Sequence, residues 1–120
     1  AGDDGADIAR AGIMAWTSQL ASDDETITVN MQGLDGGFCF IVASTTSNAE
    51  TGEEGGFFYF SGTTMFDMGS GTQTLWSFGS GTNPDVDGDH NVWRSADGIL
   101  SIKNRRAGSR YYSVYLLAGA

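Results

Sequence analysis

"GILSIKNRRAGSRYYSVYLL", residues 98–117, carries two alternating apolar runs around a short polar segment, and holds four of the chain's six basic residues within eight positions. Leu100 and Ile102 recur at the two-residue period of a strand, as do Tyr112, Val114 and Leu116. Ile99–Asn104 and Tyr111–Leu117 therefore read as strands, each with one face in a core. Asn104–Ser109, with its Gly108, reads as the loop of a hairpin between them. The loop region bears Lys103, Arg105, Arg106 and Arg110 in a chain with fifteen acidic residues and a net charge of −9. Charge at the tip would keep an edge hairpin soluble. It would equally make a docking tip, with planar guanidinium groups pairing to carboxylates on a neighbouring subunit or shell protein.

The same grammar extends upstream. Ile27, Val29 and Met31 alternate with polar residues in a strand from residue 26. "GGFCFIVAS" (Gly36–Ser44) is apolar on both faces and reads as a central strand, and "GGFFYFSG" (Gly55–Gly62) repeats the arrangement. Thr74–Gly79 and Asn91–Ser95 complete seven strands. Residues 7–20 fit either a helix begun by Asp7 or a strand from Gly12 to Leu20, and the strand is preferred. Eighteen glycines serve the intervening turns, where the acidic residues also gather. Seven to eight short strands without a clear helix predict an all-β chain, an antiparallel β-sandwich or jelly roll, as one domain over residues 1–120. Residues 1–20 would be an N-terminal arm or the first strand. The G-S-G-T of Gly69–Thr72 recurs at Gly79–Thr82, which suggests two similar hairpin turns.

A chain of this length buries roughly two-thirds of its unfolded surface and needs no disulfide. The lone Cys39 lies in an apolar run and reads as a buried thiol. The acidic balance disfavours nucleic acid and anionic membranes, and no apolar run reaches spanning length, so the expectation is a soluble chain. Its Ala-Gly start and "LLAGA" end read as those of a small complete product. "NPDVDGDHN" (Asn83–Asn91) mimics the opening of an EF-hand loop, but Arg94 stands where a bidentate Glu is required. Asp85, Asp87 and Asp89 remain as a non-EF calcium candidate. His90, the single histidine, reads as a solvated loop residue, and zinc lacks a ligand set. No G-x-S-x-G elbow, phosphate-binding loop or distinctive carboxylate pair is present, so no enzyme and no cofactor are expected.

The aromatics are the stronger signal. In "FFYF", Phe57 and Tyr59 point to one side of a strand and Phe58 and Phe60 to the other. A two-sheet sandwich has a single core, so one set must be covered otherwise. Phe58 and Phe60, with Tyr111 and Tyr115 on the last strand, are assigned to a docking surface. Trp16, Trp76 and Trp93 would serve a lectin-like alternative by stacking on sugar.

Gly98-x-Leu100-x-Ile102-x-Asn104, then Gly108-x-Arg110, then Tyr112-x-Val114-x-Leu116, resembles the closing hairpin of small β-sandwich domains in tailed-bacteriophage virion proteins. The upstream order is also similar: a T-I-T-V strand, a turn, G-G-F-x-F-I-V, then a second Gly-led aromatic strand. The resemblance spans about residues 26–117. It implies a non-enzymatic structural protein, usually a homotrimer, bound to the major capsid protein or another virion protein, or forming a fibre tip with receptor or glycan recognition. The short chain favours a capsid decoration, or cement, protein on the particle surface, with acidic loops outward and apolar and basic surfaces docked inward.

Overall fold

A computed structural model of the chain describes residues 13–31, 34–45, 54–69 and 74–119. They form nine strands: β1 (Ile13–Ala21), β2 (Thr26–Asn30), β3 (Gly36–Ser44), β4 (Glu54–Ser61), β5 (Thr64–Asp67), β6 (Trp76–Gly79), β7 (His90–Arg94), β8 (Ile99–Asn104) and β9 (Arg110–Gly119). One sheet has the order β1-β9-β3-β4-β5, and the other β2-β8-β7-β6. The all-β two-sheet expectation holds; of the residues 7–20 allowed to be helix or strand, 13–20 belong to strand β1 and 7–12 lie outside the described residues. The additional strand, β5, is four residues long with Met65 alone buried, too short for a period to register.

The two sheets enclose one apolar layer. Ile27 and Val29 of β2, Val92 of β7 and Leu100 and Ile102 of β8 face Cys39 and Ile41 of β3, Phe58 and Phe60 of β4, and Val114 and Leu116 of β9. Burying a side chain of this size stabilises the fold by about 1.5–3 kcal/mol before conformational entropy is charged against it. Cys39 is buried as expected, and burial pushes its thiol pKa far up, which keeps it an unreactive thiol.

The 98–117 stretch is not a hairpin. β8 pairs with β2 and β7, whereas β9 pairs with β1 and β3. Residues 105–109 therefore carry the chain from one sheet to the other, and Leu100 and Ile102 meet Tyr112, Val114 and Leu116 across the core rather than alongside them. Asn104 builds this corner. Its buried side chain donates to the carbonyls of Ala21 (3.0 Å) and Gly108 (2.7 Å), and its Oδ1 accepts from the Arg106 N–H (2.9 Å). Ala107 and Gly108 then turn through positive φ, where glycine is unstrained. Asn and Gly serve such a corner as well as a hairpin loop, so local turn chemistry cannot separate the two.

β6 and β7 run parallel, with Trp76 opposite His90. Residues 80–89 between them, with the second G-S-G-T beginning on the last residue of β6, thus form a crossover rather than the loop of a hairpin. Much of the first G-S-G-T lies outside the described residues, as do residues 1–12. At one end of the sandwich the buried Arg94 donates to the carbonyls of Gly62 (2.8 Å), Met31 (3.0 Å) and Leu34 (2.5 Å) and lies over the Phe60 ring, tying three connections together.

The glycine pair that opens β4 makes room for a ring on each side of the sheet. A Cβ on Gly56 would lie 2.6 Å from the Trp76 ring inside the core, and one on Gly55 would lie 3.3 Å from Phe40 outside it. Gly56→Ala should therefore lower stability by about 1–3 kcal/mol through overpacking. Gly55→Ala should cost less, because an outward ring can tilt away. Urea denaturation of the two variants checks this order, and equal midpoints would contradict the close approach of Trp76.

Candidate interaction surface and the clasp beside it

The basic cluster of 103–110 finds its partners within the chain. Arg106 forms a two-point contact with Glu54, Nε to Oε1 at 3.2 Å and a terminal nitrogen to Oε2 at 2.9 Å, and donates to the Gly88 carbonyl at 3.0 Å. Arg110 lies 3.9 Å from Glu54 and donates to the carbonyls of Ala107 and Ser109. Arg105 lies within 3.5 Å of carboxylates of Asp24, Asp85 and Asp87, and Lys103 is 3.1 Å from Asp85. The corner between the sheets is thus surrounded by acidic loops of the same molecule. These four residues therefore do not form the free docking tip expected of them, since their charge is already matched internally.

Behind Arg106 lies a hydrogen-bonded chain that the sequence did not disclose. His90, expected in a solvated loop, is wholly buried at the start of β7 beneath the Trp76 ring, with centroids 4.3 Å apart. Its Nε2 is 2.6 Å from Glu54 Oε1, and its Nδ1 is 2.6 Å from the Tyr112 hydroxyl. Burial pushes the Glu54 carboxyl up, but hydrogen bonds from His90 and Arg106 outweigh it and hold the group below its ordinary range. A carboxylate only accepts, so Nε2 donates to it and Nδ1 accepts the Tyr112 proton. Burial pushes His90 down to about 4 against the pull of Glu54, with Arg106 and Arg110 adding to the drop, and burial likewise pushes the Tyr112 phenol up.

The calcium candidate is dispersed. Asp85 and Asp87 turn toward Arg105, while Asp89 Oδ2 accepts from the Ser77 hydroxyl at 2.6 Å. No group of three metal-ligating side chains occurs among the described residues. The tryptophan platform is not assembled either, because Trp76 is in the core, while the side chain of Trp16 falls outside the described part.

What remains is the outward face of the five-stranded sheet. Phe58 and Phe60, assigned to a docking surface, are fully buried between the sheets, so the outward pair on β4 is Phe57 and Tyr59. Both sets are aromatic, and alternation alone does not say which set faces in. Tyr111 and Tyr115 do lie on the outer side, half-buried. The register sets Phe38 between Tyr59 and Leu117, Phe40 between Phe57 and Tyr115, and Phe66 beside Tyr59. Seven large apolar side chains are exposed among the described residues, and six of them (Leu20, Phe38, Phe40, Phe66, Met68 and Leu117) belong to this face. Phe38 and Phe40 were legible as the alternate set to Cys39 and Ile41, had the direction of that set been known.

No protein-family model matches the sequence, and no curated protein matches it. The fold is similar to part of the tailspike protein of Acinetobacter phage vB_ApiP_P1, with a TM-score of 0.52 and 12% identity. The likeness covers 92% of this chain and 22% of the tailspike, so the chain corresponds to about a fifth of that protein's length. Among the described residues, no helix is long and apolar enough to cross a membrane.

The clasp sets an acid limit on stability. Between pH 6.5 and about 4 the unfolded chain protonates His90 while the folded chain does not, so stability falls as pH drops through that window. The loss approaches ~3 kcal/mol by this group alone. Glu54 acts in the same direction at lower pH, because its stabilising charge is lost as pH falls through its depressed pKa. Urea midpoints should decline between pH 7 and 4.5, and a flat profile would mean that His90 is not held neutral. Glu54→Gln should cost about 2 kcal/mol at pH 7 by removing the acceptor shared by two charge-assisted or buried donors.

Proposed function

We propose that this chain is a non-enzymatic structural module of a phage virion, held in place by contact between protein surfaces. One observation carries the reading: a broad aromatic sheet face without charge, on a fold similar to part of a phage tailspike. Large contiguous apolar surfaces of this kind mark association sites. The same face gives the lectin-like alternative little support, since sugar recognition needs several polar side chains beside the rings and the outward positions of β3 and β4 offer only the hydroxyls of Ser44, Tyr59 and Ser61 among Phe, Val and Gly. Internal pairing of the arginines supports the expectation that nucleic acid is not a partner.

Two positions on the particle fit such a module. The likeness to a tailspike segment favours the tail. The compact double sheet with an acidic exterior supports the capsid decoration reading, in which the chain sits on the major capsid protein. Mass spectrometry of separated heads and tails from phage encoding this chain tests both. Recovery with tails is the expected result, recovery with heads alone would transfer the role to decoration, and absence from purified particles would overturn the virion assignment.

A further inference from the structure

The two ends of the sandwich are tied in chemically different ways. At one end Arg94 donates to backbone carbonyls, those of Gly62, Met31 and Leu34. Neither a guanidinium nor a carbonyl changes its charge in mildly acidic water. At the other end the tie runs through an imidazole and a carboxylate, and both of these titrate. From this asymmetry we infer that the clasp is an acid-operated latch: on acidification the corner at 105–109 parts from Glu54 at the start of β4, while the apolar layer and the Arg94 end stay closed.

The geometry of the closed form leaves no place for a further proton. Tyr112 donates to His90 Nδ1, and Nε2 donates to Glu54, each at 2.6 Å. A proton on Nδ1 makes both ring nitrogens donors, so the Tyr112 oxygen must accept. The phenolic proton then loses its acceptor, because the Tyr112 hydroxyl has no second hydrogen bond among the described residues. Charge acts in the same sense. The Glu54 carboxylate already serves Arg106 at 2.9 Å and Arg110 at 3.9 Å, and an imidazolium would bring a third cation to it. The remaining neighbours offer no counter-charge. β6 lays the uncharged Trp76 on the ring, β8 places Asn104 opposite it, and the adjacent Asp89 carboxylate is turned to the Ser77 hydroxyl. Relief comes from moving Arg106 and Arg110 into water, since both are already partly exposed and sit at the corner.

The opening stays local for a thermodynamic reason. Protonation favours every form that admits water to the imidazole by the same amount, so the form that costs least to open is populated first. Parting the corner from β4 breaks a few polar contacts. Parting the sheets would expose the layer that Ile27, Val92 and Leu100 make with Phe58 and Phe60, at a far greater cost. The opened form presents Arg106 and Arg110 as free positive charge, which the closed form withholds. This latch is a property of the fold and does not rest on the virion role.

The chain holds one histidine, so a single imidazole signal can be followed by nuclear magnetic resonance. The nitrogen-15-labelled full chain, titrated from pH 7 to 4, should show the amide signals of Glu54 and of residues 104–110 leaving their native positions as the imidazole protonates, between 6.5 and about 4. Those of Met31, Leu34, Gly62 and Arg94 should hold theirs throughout. Loss of all native signals in one step, or a corner unmoved at pH 4, would overturn the inference. His90→Gln, neutral at every pH, should abolish the corner transition, and a folded variant that kept it would remove His90 as the trigger. Arg110→Gln, a change at a partly exposed side chain, should shift the transition to lower pH by taking away one repelling cation. A midpoint unchanged or raised in that variant would count against the latch even if His90→Gln failed to fold.

Discussion

The imidazole of His90 joins the two sheets, and much of the molecule is arranged around it. It projects from β7 in the four-stranded sheet, and its two nitrogens reach Tyr112 on β9 and Glu54 on β4 in the five-stranded sheet. Apolar packing is non-directional and would tolerate small offsets between the layers. Two hydrogen bonds of 2.6 Å from one rigid ring do not, because each is lost by a shift of less than an ångström and leaves a buried polar group unsatisfied. Trp76 closes over the imidazole, and its indole occupies the space that Gly56 leaves free. Its Nε1 finds no acceptor within the described structure, so ring position is favoured here over hydrogen-bond satisfaction.

This tie depends in turn on the corner at 105–109. Arg106 neutralises Glu54 from the corner side, and Asn104 holds the corner against Ala21 at the end of β1. Arg105 adds contacts to the β1–β2 turn through Asp24 and to the β6–β7 crossover through Asp85 and Asp87. Each exposed pair contributes little alone, about 0–1 kcal/mol. Together they place positive charge where two acidic loops and the Glu54 end of β4 converge, so that carboxylates there face guanidinium groups rather than one another. The basic cluster that stands out in the sequence is therefore the counter-charge of a fold whose acidic residues are distributed over distant loops. Among the described residues, the ion pairs gather at this end, and the outward positions of the middle strands of the five-stranded sheet carry no charge.

Strand content was largely legible: β3 and β8 begin and end where their apolar periods do, and Ile27 and Val29 face in as alternation requires. Pairing was not. The same two strands and the same Asn and Gly describe either a hairpin or a sheet-to-sheet corner, and the choice lies in bonds from Asn104 to residues more than eighty positions away. His90 follows Asp85, Asp87 and Asp89, a neighbourhood that reads as solvent, yet its partners come from β4, β6 and β9. Arg105 and Asp24 are likewise eighty-one residues apart. A linear reading detects the excess of charge and aromatic residues but carries no information about which distant group meets it.

The outer face presents the same limit and one further consequence. Phe57 and Tyr59 are only half-exposed although they point away from the core, because neighbouring rings shield them. Phe38 lies 5.3 Å from Tyr59, Phe40 5.7 Å from Phe57, and Phe66 5.5 Å from Tyr59, all between ring centroids and tilted. Cross-strand aromatic contacts of this kind stabilise the sheet that bears them. They also restrict the rotamers of the very side chains that a partner would touch. Ordering an interface side chain ordinarily costs about 0.5–1.5 kcal/mol, and rings already packed against one another have lost much of that freedom on folding. The face is therefore apolar and pre-ordered together, and the second property follows from the register that sets aromatic opposite aromatic across β3, β4 and β5.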